Sequence, residues 1–114
     1  MSVTPLDRQK VGTHRINLPA RDWELTDLHG FLVKPIFEDK RTGERTMLMK
    51  ILPGAFAESH CHDQLEEVFI LEGTFYDDEN VYSAGHYCQR AVGAFHTAGS
   101  QDGCVVLLVY RCEQ

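Results

Sequence analysis

The run from Gly54 to Gly73 constrains this chain more than any other stretch of its sequence. Between the framing glycines stand His60 and His62, one residue apart, and Glu66 follows four residues later. Alternate residues of a β-strand point to the same face, so the two imidazoles are predicted to project together. Glu66 has the same parity and begins the next predicted strand. The stretch therefore predicts that these three side chains enter one cavity.

A second glycine-bounded block supplies a third imidazole, His96. Imidazole and carboxylate ligands suit first-row metals, whereas iron–sulfur clusters and sulfur-rich zinc sites need thiolates. We therefore predict one divalent transition metal (Fe, Zn, Mn or Ni) bound by His60, His62, Glu66 and His96. A row of partly exposed surface histidines is the alternative, and the clustering of several ligands favours the metal.

Length and charge restrict the class of protein. A chain of 114 residues predicts one domain, and a formal net charge of −6 without a basic patch argues against a nucleic-acid partner. We find no run of about 18 apolar residues and no apolar segment typical of a secretory signal near the first residue. We therefore predict no membrane association and a cytoplasmic location.

Short strand signals separated by turn residues recur along the chain and predict an antiparallel, all-β sandwich or barrel over residues 31–114. Pro35 indicates an edge strand or a bulge, and the pair Glu72-Gly73 predicts a turn between two strands. Residues 1–30 predict at most one short helical turn, in an extension that packs on the barrel. The predicted strands cover residues 31–37, 46–52, 66–71, 74–77, 81–83, 86–90, 94–96 and 104–111.

A mostly apolar pocket is predicted beside the metal. Met47, Met49 and Ile51 share the strand face opposite Lys50, so we predict that they point inward. Plain core packing is the alternative for most of the lining, and an apolar pocket favours a small, rather hydrophobic ligand. The predicted lining comprises Met47, Met49, Ile51, Phe56, Phe75 and Tyr87.

The last predicted strand, residues 104–111, is apolar on both parities. A strand that is buried on both faces needs a cover on each face. In so small a domain a second subunit can supply one of these covers, so we predict a homodimer.

The two glycine-bounded blocks resemble the two sequence motifs of the cupin superfamily. Ala91 and Ser100 stand where the second motif usually has proline and asparagine, and neither position is a metal ligand. Residues 66–67, 71–75, 77–79, 85–87 and 103–104 further resemble the ChrR-like group, named for the C-terminal cupin of an anti-sigma factor. The positions that fit the motif spacings are Gly54, His60, His62, Glu66, Gly73, Gly85, Gly93 and His96.

This resemblance spans roughly residues 31–111 and implies a double-stranded β-helix, the jelly-roll barrel of cupins, with a metal at the four positions given above. The chain has no upstream His/Cys cluster like that of the zinc domain that grips the sigma factor, so anti-sigma activity is not implied.

Two functions stay open at the level of sequence. The first is a metal-dependent oxidoreductase, a dioxygenase that cleaves a small diketone-like compound. The second is a non-catalytic, metal-dependent sensor of a small molecule or an oxidant. On an octahedral ion, four protein ligands leave two open positions, whereas on tetrahedral zinc they close the coordination shell.

Overall fold

A computed structural model describes residues 4–112, which form one antiparallel β-structure with a single short 3₁₀ turn at Leu18–Ala20. Within these residues, no helix has the length and apolar character needed to cross a membrane. The strands are β1 (Glu24–Leu25), β2 (Phe31–Asp39), β3 (Glu44–Ile51), β4 (Phe56–His60), β5 (Leu65–Tyr76), β6 (Val81–Ser83), β7 (Tyr87–Arg90), β8 (His96–Gly99) and β9 (Cys104–Arg111).

Strand order confirms the predicted all-β jelly-roll barrel. The continuous path runs β1-β2-β3-β9-β5-β8-β4, and β6 and β7 both pair with β5. The first half of β5 pairs with β7 and β9, and its second half pairs with β6 and β8. A single long strand therefore joins the two halves of the barrel, and the candidate site lies between them.

The inner face of β9 forms the centre of the hydrophobic core. Val106 and Leu108 are 1% and 5% exposed, and their neighbours of the same parity are also buried. Each fully buried aliphatic side chain of this kind contributes about 1.5–3 kcal/mol relative to an exposed one. On the outer face, Val105, Leu107 and Val109 are half-buried. The homodimer that would cover this face stays a prediction.

Strand β5 is continuous where the sequence predicted a turn. The pair Glu72-Gly73 does not end the strand; instead, the pairing with β9 shifts between Ile70 and Glu72, and β5 runs on to Tyr76. Gly73 permits this because its φ of 75° lies in the left-handed region. A Cβ atom at this position would also collide with the carbonyl oxygen of Gly103. The turn prediction was therefore wrong.

We expect Gly73→Ala to destabilise the protein more than Gly85→Ala does. Both glycines have positive φ, but Gly85 has open space where a Cβ would lie. The conformational strain costs about 1–2 kcal/mol at either position, and only Gly73 adds a collision with backbone. Urea unfolding of both variants measures the difference, and equal losses would contradict the role assigned to Gly73 in β5.

The register of β2 against β3 shifts between Pro35 and Phe37, which is the irregularity that Pro35 predicted. Near this point the N-terminal segment joins β2. The amide of Leu6 donates to the carbonyl of Ile36 over 2.9 Å, and Arg8 reaches both Asp39 (2.8 Å) and Glu44 (2.6 Å). These contacts fasten the first described residues to the end of the β2–β3 hairpin.

Further along the N-terminal segment, a buried lysine makes the connection. The Nζ atom of Lys34 donates to the carbonyl of Leu18 over 2.9 Å and lies 4.8 Å from the ring centroid of Trp23. Strand β1 then pairs with β2. Residues before Phe31 thus contribute both a cover and an edge strand to the barrel, where the sequence predicted packing without a strand.

Asp39 is 1% exposed and accepts hydrogen bonds from the guanidinium groups of Arg41 and Arg8. These cations hold the pKa of the Asp39 carboxyl well below its usual range. A lowered pKa in the folded state means that the carboxylate stabilises the protein above its unfolded-state pKa of about 4. This contribution is lost as the pH falls through the lowered value.

Asp39→Asn is therefore expected to reduce the free energy of unfolding at pH 7, and the difference from wild type should shrink below about pH 4. Urea unfolding of chelator-treated protein at pH 7, 4 and 2.5 measures this. Asp102→Asn, at an exposed position, serves as the matched control. A difference that stays constant across this pH range would contradict the assigned role of Asp39.

Candidate metal centre

Three imidazoles converge where β4 meets β8. His60 is the last residue of β4, and it pairs directly with His96, the first residue of β8. Their ring centroids are 4.4 Å apart. His62 lies two residues past the end of β4, with ring centroids 5.1 Å from His60 and 5.8 Å from His96. The shared strand face predicted for His60 and His62 therefore stops at His60, and a loop brings in His62.

The amide of Gly93 donates to the carbonyl of His62 over 2.9 Å, so the two glycine-bounded blocks are tied together at the site. One ligand atom of each of His60, His62 and His96 lies within 4.8 Å of the others. This spacing suits a shared metal ion, for which imidazole nitrogen is a typical ligand.

In two of the three imidazoles, a backbone carbonyl determines which ring nitrogen is available to bind a metal. The Nδ1 atom of His60 lies 2.7 Å from the carbonyl oxygen of Glu58, and Nδ1 of His96 lies 2.8 Å from that of Thr97. A carbonyl oxygen only accepts, so in the neutral rings Nδ1 carries the proton and Nε2 has the lone pair. This is the usual way in which a protein orients a metal-binding histidine.

His96 provides the test of whether the residues fit a metal. Its Nε2 atom is buried and has no hydrogen-bond partner among residues 4–112. A buried acceptor without a partner costs about 1–3 kcal/mol. Burial also lowers the pKa of His62 and the pKa of His96, which favours the neutral form that binds metals. A metal ion would satisfy the lone pair, so the donor set fits one.

Glu66 lies against two of the three imidazoles. Its Oε2 atom is 3.5 Å from Nε2 of His62, and its Oε1 atom is 3.5 Å from Nε2 of His96. Oε1 also accepts a hydrogen bond of 3.1 Å from Nε of Arg90. The carboxylate is thus at the site but shared with a guanidinium, and its role as a fourth ligand stays a prediction.

Arg90 and Tyr110 are site residues that the sequence reasoning missed. Glu66 pairs with Arg90 across β5–β7 and with Tyr110 across β5–β9, so all three side chains lie in one inward row. Burial and the neighbouring Glu66 carboxylate raise the pKa of Tyr110, which keeps the hydroxyl protonated. The alternation of side chains along each strand could have indicated this inward row. It could be applied only once the pairing of β7 and β9 with β5 was known.

The cluster forms one wall of a cavity of about 550 Å³. Of the predicted lining, Met49, Ile51, Phe56 and Phe75 border the cavity, whereas Met47 packs against the core beside it. Apolar residues that the sequence reasoning did not assign to the pocket complete much of the wall. These are Leu28, Phe31, Ala57, Val68, Ala98, Val106 and Leu108.

Tyr87 lies outside the pocket in which it was predicted. It pairs with Phe69 across β5–β7, and both side chains are about half exposed. The Tyr87 hydroxyl donates to Glu67 over 2.7 Å on the outer face of the barrel. Tyr87 and Arg90 are three residues apart on β7, so their side chains point to opposite faces, and the pairing with Phe69 places Tyr87 on the outer one.

A family model for the ChrR cupin-like domain matches residues 12–112. The chain belongs to this family. No curated protein is matched by the chain. The match covers nearly all of the described residues, including every strand and the histidine cluster, and confirms the resemblance drawn from the two glycine-bounded blocks.

Solved structures with the same fold share little sequence with this cupin. A chain of the Rhodobacter sphaeroides complex of SigE with the anti-sigma ChrR has 21% identity and a TM-score of 0.71, over 83% of this chain and 52% of that chain. An RmlC-like cupin from Shewanella frigidimarina has 15% identity and a TM-score of 0.77, over 90% and 94%. An acetylacetone dioxygenase from Acinetobacter johnsonii has 13% identity and a TM-score of 0.78, over 90% and 76%.

At these identities the likeness shows the fold alone. This cupin also spans about half the length of the chain that it matches in the SigE–ChrR complex.

His62→Ala is expected to reduce the affinity for Zn²⁺ by more than the roughly 10- to 100-fold that outer-shell changes typically cost. The reason is the loss of one of three converging imidazoles. Chelator-competition titration of metal-free protein measures the dissociation constant. His29→Ala is the matched control, because His29 is exposed and outside the cluster. Unchanged affinity in His62→Ala would refute the ligand assignment.

Proposed function

We propose that this cupin binds one divalent transition metal through His60, His62 and His96, with Glu66 as a fourth ligand, and holds a small, largely apolar ligand beside the metal. One observation carries the proposal: the three imidazoles form the polar wall of a cavity that is otherwise mostly apolar. A volume of about 550 Å³ falls within the usual range for small-molecule pockets.

The composition of the cavity wall favours a ligand with one polar, chelating end and a hydrophobic body. Polar side chains gather at one end, where Tyr110 and Glu66 adjoin the imidazoles. Apart from Glu58 and Ser59, the remaining wall is formed by apolar side chains, which exclude water and favour an apolar body. A small 1,3-diketone, in its enol form, combines these two properties.

The first candidate activity is oxidative cleavage of a diketone-like compound. A bound iron would supply Lewis-acid and dioxygen chemistry. The protein's own residues would orient the substrate: neutral imidazoles hold the metal, and apolar walls keep water from the reacting end. The similarity in fold to an acetylacetone dioxygenase supports this class of substrate.

The second candidate is a sensor that binds its ligand without turnover. The cavity offers few groups that could move a proton, because its titratable lining apart from the histidines consists of Glu58, Glu66 and Tyr110. Of these, Tyr110 has a pKa raised by burial and by Glu66, so it can donate a hydrogen bond but is a poor acid or base near neutral pH. Membership of the ChrR cupin-like family also supports this candidate.

Acetylacetone is the probe that separates the two candidates. With Fe²⁺-loaded protein, oxygen uptake that requires acetylacetone and is lost in His62→Ala is expected for the enzyme. For the sensor, acetylacetone should change the visible spectrum of the Co²⁺-loaded protein while no oxygen is consumed. His29→Ala should behave as wild type in both measurements. If acetylacetone neither binds nor reacts, the proposed ligand class is wrong.

A further inference from the structure

A buried chain of charges leads from the candidate metal centre to the turn after β5. The Nε atom of Arg90 donates to Oε1 of Glu66 over 3.1 Å, and an outer nitrogen of the same guanidinium donates to Oδ2 of Asp77 over 2.8 Å. The side chains of Arg90, Glu66 and Asp77 are only 12%, 5% and 3% exposed. Solvent therefore screens these three charges little.

Asp77 is the fixed end of this chain. Its Oδ1 atom accepts the backbone amides of Glu79 and Asn80, both over 2.8 Å, and its Oδ2 atom also accepts the Tyr82 hydroxyl over 2.9 Å. Four donors, with Arg90, thus hold this carboxylate. Because Asp77 is held in place, it also holds the guanidinium of Arg90 at a set distance from Glu66.

Together, the side chains of Glu66, Arg90 and Asp77 carry one net negative charge. Two buried carboxylates face one guanidinium, and the imidazoles on the other side of Glu66 are neutral when they bind a metal. A buried charge that lacks a partner is strongly destabilising. A cation beside Glu66 would restore the balance, on a carboxylate that already accepts a hydrogen bond from Arg90.

We propose that Arg90 is a positioning residue that competes with the metal for Glu66 and makes this carboxylate the weakest of the four ligands. The inference rests on the proposed metal site. Arg90 withdraws electron density from Oε1 and places a positive charge close to the metal position. Glu66 can then dissociate from the metal when a chelating ligand binds, while the three imidazoles remain bound to it. Asp77 limits this competition, because it shares the guanidinium.

Substitutions of Arg90 and of its partner Asp77 should have opposite effects on metal affinity. Arg90→Gln removes the competing cation, so affinity for Co²⁺ should rise at least about threefold. Asp77→Asn removes the second carboxylate and leaves Arg90 with Glu66 alone, so affinity should fall at least about threefold. The asparagine oxygen can still accept the amides of Glu79 and Asn80, which preserves the turn.

A double-mutant cycle locates the effect at Glu66. Glu66→Gln should cost less than about threefold in Co²⁺ affinity when Arg90 is present, and at least about tenfold in the Arg90→Gln background. Tyr82→Phe, which removes one hydrogen bond to Asp77 and no charge, is the matched control and should change affinity less than about twofold. Visible spectra of the Co²⁺ forms report the change in ligand set independently of affinity.

Losses in both Arg90→Gln and Asp77→Asn would overturn the proposal, because a merely structural role lowers both affinities. An equal cost of Glu66→Gln in the two backgrounds would also overturn it. If Arg90→Gln does not fold, the Asp77→Asn effect must vanish in the Glu66→Gln background, and its persistence refutes the competition. Wild-type affinity in His62→Ala would refute the metal site itself, whereas loss there without coupling at Glu66 would refute only the role of Arg90.

Discussion

Antiparallel pairing across β5 and across β4–β8 is the constraint on which the rest of this structure depends. One register places His60 opposite His96, and another places Glu66 between Arg90 and Tyr110. A shift by one residue in either would turn these side chains to the outer face. Gly73, with its positive φ, lies in β5 between the half of this strand that pairs with β7 and β9 and the half that pairs with β6 and β8. The metal centre is therefore a product of strand register as much as of the residues themselves.

Local sequence was sufficient to predict the three-histidine cluster, because glycines and histidines at short spacing carry their information within a few residues. His60, His62 and His96 were predicted and do converge. The apolar side was predicted less well. Residues such as Leu28 and Val106 look like ordinary core positions, and only the closure of the barrel makes them cavity wall.

The errors have a common physical cause. The pair Glu72-Gly73 has the composition of a turn, yet long-range pairing with β9 carries β5 through it. Tyr87 was placed inward, but its pairing with Phe69 puts it on the outer face. Arg90 was passed over because a lone arginine on a short strand has no local signature, and its importance follows from the two carboxylates that meet there.

Two of the three imidazoles are oriented by main-chain oxygens, those of residues 58 and 97. The side chains at these positions take no part in the contact, so the orientation of the two rings does not depend on the identity of those side chains. A substitution there leaves the orientation of the rings unchanged as long as the backbone path is kept. Relatives with quite different amino acids at both positions would still present the same pair of nitrogens, and a comparison of side-chain identity alone would overlook what holds them.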